Sequence, residues 1–398
     1  MTITTAKEPL PQAYLLWVSG AVISILGNGV LYFALGWTAT GHSGALAGLV
    51  LTAVNLPRAL FLLIGGALGD RVGARRVMIT GDAVMIGLCL VLALVLHRSG
   101  PAAGILLVTG LVLGLVDAFY LPASGSLPRL LVTPGQLPRA LGLRQAGGQV
   151  AQLIAGPLGG LLVVAVGLSG VLLLDAITFA AVLAVLLLIT PMSDHVPATG
   201  SLAASALDGL RLALADPVLR TILLLTGAVA GLVLPAFSIL VPLLARDHGW
   251  GARGAGLVVG AQALGTIAVA LLIARRGALP RAGQAVAAGT VIAAAGLLLV
   301  ALAPSPALAV LGAAVSGAGT GLFAGHASPA VLGATPPTHL SRVQAVLVLV
   351  QTVALLVTNN VVGALADAVD PTPVTALAAS LLLLSGLLGF SSRPFRQV

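Results

Sequence analysis

Gly66-Ala67-Leu68-Gly69-Asp70-Arg71-Val72-Gly73-Ala74-Arg75-Arg76 stands between two apolar runs, one covering 44–68 and the other 77–97. Each run is close to the ~20 residues that an α-helix needs to cross the hydrocarbon of a bilayer. Unpaired backbone groups in lipid are costly, so such runs must be helical. The glycines permit a tight turn and close helix approach, and Asp70 can accept hydrogen bonds from helix ends or arginines. Arg71, Arg75 and Arg76 fall where phospholipid headgroups begin. The stretch reads as a charged turn over 69–76 at one face of a membrane.

The pattern repeats in both directions. Apolar runs separated by polar or Pro/Gly-rich breaks cover 14–38, 44–68, 77–97, 101–121, 141–166 and 168–190. Six more follow at 217–244, 254–274, 282–303, 306–328, 343–366 and 372–391. With 59% hydrophobic and 8% charged residues, no water-soluble fold could hide the apolar surface. The first run, from Tyr14 to Trp37, is too long for a signal-peptide core and reads as a retained span. With the N-terminus in the cytoplasm, fifteen of the nineteen basic residues fall at inward junctions. Arg98, Arg246 and Arg253 fall outside, and Arg58 lies within a span. The positive-inside rule therefore supports both the orientation and the even count.

The longest polar segment, 191–216, lies near the midpoint and reads as a cytoplasmic linker between 1–190 and 217–398. Traces of repetition agree with this division. Thr133-Pro134-Gly135-Gln136-Leu137-Pro138-Arg139 follows the fourth span, and Thr335-Pro336-Pro337-Thr338-His339-Leu340-Ser341-Arg342 follows the tenth. Arg275-Arg276 is the second-half counterpart of the basic turn at 69–76. The expected fold is an all-α membrane protein, twelve transmembrane helices in two pseudo-symmetric six-helix bundles, with both termini cytoplasmic.

Several classes are excluded. The formal charge of +8 is scattered singly or in pairs, without a basic run or aromatic interleaving, which argues against nucleic acid. Cys89 is the single cysteine, so no intrachain disulfide or thiolate metal site can form, and no metal or cofactor is expected. An ATP-binding phosphate loop needs a lysine, and the sole lysine is Lys7. Gly41-His42-Ser43-Gly44 and Gly167-Leu168-Ser169-Gly170 are serine motifs at external junctions, at the frequency chance gives in a glycine-rich chain. No H-E-x-x-H occurs, and enzymatic activity is not expected.

Gly66, Leu68, Asp70, Arg71, Gly73, Arg75 and Arg76 together resemble the G-x-L-x-D-R-x-G-R-R signature of the major facilitator superfamily. One position departs: Ala74 stands where a basic residue is usual, with Arg75 and Arg76 adjacent. Gly156-Pro157-Leu158-Gly159-Gly160 resembles the G-P-x-x-G-G element of its drug-exporting antiporters. Leu127 to Leu188, with Leu56-Pro57-Arg58 and the context of Asp82, is similar to the bacterial branch of siderophore and macrolide exporters. The resemblance implies alternating access, with the first motif latching a cytoplasmic gate. It further implies a multi-pass protein of the bacterial plasma membrane acting on a small molecule, with protons as coupling partner, and a monomer is the default expectation. That branch commonly has Asp after the Gly of the first span, whereas this chain has Gly27-Asn28-Gly29, whose amide cannot titrate.

Ionisable groups at membrane depth need a partner or a purpose. Arg58, Asp82, Asp117 and Asp175 are candidates for proton coupling or intramembrane ion pairs. Arg58, Arg75 or Arg76 could brace Asp82 or Asp117, and Asp175 is expected to pair near the outer interface. His326 is expected at the inner interface. Asn28, Asn55, Gln262 and Asn359 are candidates for the substrate cavity. So are Gln145, Gln149 and Gln152, which share one helical face at i, i+4, i+7. The scarcity of buried charge suits uncharged or cationic hydrophobic cargo. An exporter of small amphipathic molecules is expected, with an uncoupled facilitator or lipid flippase as the alternative.

Overall fold

The computed structural model describes residues 9–189, 211, 214–335 and 340–397. The linker expected at 191–216 and Lys7 lie mostly or wholly outside these residues. Among the described residues the chain is helical with short turns and contains no strand. Eleven helices are long and apolar enough to cross a membrane.

The first four long helices are α1 (Gln12–Thr40), α2 (Gly44–Val72), α3 (Ala74–Ser99) and α4 (Ala103–Ser126). A single turn, α5 (Pro128–Leu131), leads into α6 (Leu137–Leu188). α2 continues through most of the stretch read from sequence as a turn. Only Gly73 leaves helical geometry, at φ 97°, before α3 begins. Glycine adopts that positive φ at no steric cost, so a single residue suffices to end one helix and start the next.

α6 has 52 residues, about 78 Å at the usual rise and more than twice a bilayer core. It is broken at Gly167 (φ 67°, ψ −179°). Gly147 lies against Val22 and Gly159 against Phe33, whereas Gly27 lies against Asp175 and Gly20 against Val182. The register along α1 rises before the break and falls after it. α6 is therefore a hairpin of two antiparallel helices, as the expected runs 141–166 and 168–190 require.

The second half begins with α7 (Pro217–Pro235), a π-helical turn at Ala236–Leu240 and α8 (Val241–Asp247). Together they form one crossing, Pro217–Asp247. The π turn falls between Pro235 and Pro242, neither of which has an N–H to continue the usual ladder. There follow α9 (Gly251–Arg276), α10 (Ala282–Ala301), α11 (Pro306–Ala334), α12 (Leu340–Val369), α13 (Pro371–Ser391) and α14 (Arg393–Arg396). The starts of α7 and α11 are written in sequence. Asp216 accepts from Val218 and Leu219, Ser305 accepts from Leu308, and a proline follows each at the first helical position.

Many large apolar side chains face outward: Leu188 is 81% exposed, Leu224 69% and Ile177 65%. Small residues fill the helix contacts, as expected where the surrounding solvent is hydrocarbon. Two buried clusters are built almost wholly from residues before 190 and two from residues after 217. Because crossings alternate, Gln12, Val72, Leu188, Pro217, Arg276 and Ser391 share one end of the molecule. We call this the terminal end. The turns at 41–43, 167, 248–250 and 370 share the far end.

Candidate functional site

The face of α6 that carries Gln145, Gln149 and Gln152 lines two adjoining cavities. One, of about 680 Å³, lies toward the terminal end and is bounded by Ile25, Leu141, Arg144 and the three glutamines. The other, of about 370 Å³, lies between the two halves of the chain. There Gln149 and Gln152 share the lining with Gln262, Thr266, Thr320, Phe323 and Gln351. The Thr266 and Thr320 hydroxyls are 3.1 Å apart, and Gln262 donates to Thr320 at 3.4 Å. Amides, hydroxyls and apolar groups make up these walls. Arg144 is the one charged side chain among the described lining residues.

Beside the cavities, within the first half, lies a cluster of charge. Arg58 on α2 donates to Asp117 on α4 and, at 3.1 Å, to the hydroxyl of Tyr32 on α1. Tyr32 in turn donates to the same Asp117 oxygen. A guanidinium, a carboxylate and a phenol from three helices thus satisfy one another where water is scarce, which an unpaired charge could not do. The arrangement realises the Arg58–Asp117 pairing considered from sequence. Tyr32 was missed, although it lies four residues past Asn28 on the same helical face.

Two other carboxylates have no cationic partner among the described residues. Asp82 is fully buried beside the Tyr120 hydroxyl, and no arginine among the described residues braces it. Asp175 was expected at the outer interface and is instead 1% exposed, packed against Gly27. It accepts from Thr178 at 2.9 Å while its second oxygen is unbonded. Its burial comes from the contact with α1, which the residue order does not record. His326 is likewise buried, near the terminal end of α11. Its Nε2 accepts from the Leu279 amide at 2.8 Å and its Nδ1 donates to the Leu322 carbonyl at 2.9 Å, which pins the turn before α10.

At the far end the two halves meet closely. Gly156 lies against the Gly256 carbonyl, Gly160 against Ala252, and Pro157 against Gly260. Gly44 and Gly48 approach Gly363 and Asn359 in the same way. A side chain at Gly160, Gly256, Gly44, Gly48 or Gly363 would collide with backbone, and one at Gly260 with the Pro157 ring, so the stretch Gly156–Gly160 serves contact between halves. Charges reinforce the closure. Asp367 on α12 accepts from the amides of Gly44 and Ala45 at 2.6 and 2.8 Å, capping the start of α2. Arg246 on α8 donates to the Trp37 carbonyl at 2.5 Å and stacks 3.9 Å from the Trp37 ring centre. An anion thus meets a helix N-terminus and a cation a helix C-terminus, the signs the helix dipole favours. In the sequence Arg246 falls at an outward junction and Asp367 does not stand out.

The remaining expected residues take separate places. Gly66, Leu68, Asp70 and Arg71 belong to the last turns of α2, with Leu68 and Arg71 exposed, and the side chain of Asp70 falls outside the described set. Arg75 donates to the carbonyls of Leu186 and Leu187, tying the start of α3 to the end of α6, while Arg76 is exposed. Asn28 is half-buried on α1. Asn55 donates to the Leu51 carbonyl of its own helix at 2.8 Å. Asn359 is 1% exposed within the far-end contact, away from the cavity walls. Its neighbour Asn360 donates to Thr52 across the halves at 2.8 Å.

Comparison with known proteins places this arrangement. The multidrug efflux pump Tap of Mycolicibacterium fortuitum is 28% identical over 259 residues, 61% of this chain and 61% of that protein. Tap of Mycobacterium tuberculosis is 29% identical over 276 residues, 64% of this chain and 65% of its own length. The chain thus matches somewhat under two thirds of these relatives. Among solved structures, a variant of the nucleoside transporter NupG superposes with a TM-score of 0.78 at 13% identity, over 96% of this chain and 100% of that one. A bacterial homologue of the iron transporter ferroportin, in an inward-facing state, gives 0.76 at 15% identity, over 96% and 99%. At these identities the structures speak for the fold. The sequence profile of the Major Facilitator Superfamily matches residues 17–280. The chain belongs to the Major Facilitator Superfamily.

Proposed function

We propose that the protein is a secondary active exporter of small amphipathic or hydrophobic molecules, working by alternating access in a bacterial plasma membrane. In this reading residues 1–190 and 217–398 are two six-helix bundles joined by the linker 191–216, and the protein acts as a monomer. Counting α6 as two crossings makes twelve, with both termini cytoplasmic. The observation that carries the reading is the polar-lined cavity between the halves, beneath a far end closed by glycine contacts and helix-capping charges. Such a closure can separate without breaking a hydrophobic core, and the cavity would then face the other side. Similarity to the Tap efflux pumps supports export and drug-like cargo.

Proton antiport is the coupling we favour. Asp117, Asp82 and Asp175 are carboxylates within the first half, and only Asp117 has a cationic partner among the described residues. The test is transport by the purified protein in liposomes, with and without an imposed pH gradient. Accumulation that follows the gradient supports antiport, and accumulation indifferent to it eliminates antiport. Asn28, an amide where related exporters have a carboxylate, favours a second reading, an uncoupled facilitator or lysolipid flippase. That reading predicts equilibration with no response to pH. Growth of a pump-deficient host on a panel of antibiotics and siderophores would identify the cargo.

A further inference from the structure

Arg144 has a position that no gate or packing motif accounts for. The sequence assigns it to an inward junction with the other arginines, yet in the fold it lines the larger cavity, next to Gln145 and about one turn from Gly148 and Gln149. It is half-buried and pre-set. One guanidinium nitrogen donates to Ser124 on α4 at 2.9 Å, and the group lies 5.6 Å from the ring centre of Trp17 on α1. Its ionisable neighbours are the phenols Tyr14 and Tyr120, and it forms no ion pair among the described residues. Tyr14 is itself committed, donating to the Ala140 carbonyl at 2.5 Å. The guanidinium therefore presents donors to the cavity with its charge uncompensated. An arginine fork in fixed orientation suits a carboxylate or phosphate, which it can bind through two parallel hydrogen bonds.

Polarity changes along the path inward from this point. Gln149 and Gln152 line both cavities, and beyond them the wall is uncharged, with Phe323 and several valines and alanines around Gln262 and Gln351. We propose that Arg144 is the head-group site for the cargo: the protein takes amphiphiles with an anionic head, held at Arg144, and an uncharged body, held in the inner cavity. This rests on the transporter reading above and narrows it, replacing the cationic or neutral cargo that the scarcity of buried charge suggested from sequence. The recognised chemistry is a carboxylate or phosphate on an apolar body. Its source is either a soluble amphiphile or a membrane lipid.

The test is direct binding to the full-length protein in a neutral detergent, followed by Trp fluorescence or calorimetry. Dodecanoate represents the soluble source, lysophosphatidic acid the lipid source, and dodecyltrimethylammonium the opposite charge. Arg144→Gln should weaken whichever anion binds by ~10-fold or more, while Arg144→Lys restores part of the affinity. Binding of dodecanoate assigns soluble cargo, and binding of lysophosphatidic acid alone assigns a lipid headgroup. Either supports the site. If the cation binds as tightly as the anions, or if Arg144→Gln leaves anion binding unchanged in a protein that elutes as a single folded species, the proposal fails. Liposome transport separates this from the wider reading. Export of cationic dyes that ignores Arg144→Gln would keep the exporter and discard the anion site. Anion binding without any transport would do the reverse.

Discussion

Among single residues, three aspartates with different surroundings should respond differently to the same substitution. Asp117 holds Arg58 and Tyr32 together, so Asp117→Asn leaves a guanidinium without its counter-charge. The pair is partly exposed, 29% and 16%, so the expected loss is about 1–3 kcal/mol, below the range for fully buried pairs. Asp82→Asn and Asp175→Asn remove carboxylates that no cation balances, and should leave the melting temperature in detergent unchanged or higher. A ranking in which Asp117→Asn is the mildest of the three would contradict the geometry. Function is a separate readout. If Asp117→Asn leaves the pH dependence of transport as it was, Asp117 is not the proton site. These contrasts were only partly legible in sequence. The residue types and depths could be read, but whether Arg58 faced α4 depended on how three helices rotate about their axes.

Helix ends and helix faces decide the far-end closure. Asp367 caps α2 from the other half, and loss of a capping side chain costs about 0.5–2 kcal/mol. Asp367→Ala should therefore shift the equilibrium toward a conformer open at the far end by up to ~30-fold. Solvent access to Ala45→Cys in a Cys89→Ala background would register the shift, and unchanged labelling would exclude a latch. The glycine face acts by shape. A Cβ at Gly256 would overlap the Gly156 backbone, so Gly256→Val should keep the halves apart and abolish transport while the protein still inserts and folds. Retained transport in that variant would show that this contact need not form. The i, i+4, i+7 glutamines show how far periodicity alone can reach. It identified the shared face, but which neighbours that face met came only from the packing of the two halves around the cavity.

For the whole molecule, the conformer described is closed at the far end, with the α6 glutamines lining cavities between that closure and the terminal end. Alternating access predicts that the closure must open in each cycle. Thr52 and Asn360 touch across the halves at 2.8 Å. In the Cys89→Ala background, Thr52→Cys with Asn360→Cys and a short thiol cross-linker should stop transport, and cleavage of the linker should restore it. Undiminished transport by the cross-linked protein would mean that the halves do not part there. A membrane-impermeant thiol reagent should reach Gln152→Cys from the terminal side while the cross-link is in place.

Length and spacing of apolar runs, the one-sided distribution of arginine and two short motifs were enough to identify a helical membrane protein of the Major Facilitator Superfamily. These are local properties, set by bilayer thickness and by the cost of exposing backbone polar groups to hydrocarbon. Tertiary structure alone decided which polar groups were partners. Tyr32 became the third member of an ion pair, Asp175 was buried against α1 without a cation among the described residues, Asn359 went into a helix contact, and Arg144 came to line a cavity. Each outcome depends on the rotation and register of helices packed side by side. In a chain where nearly every helix is apolar all round, no hydrophobic stripe records those choices.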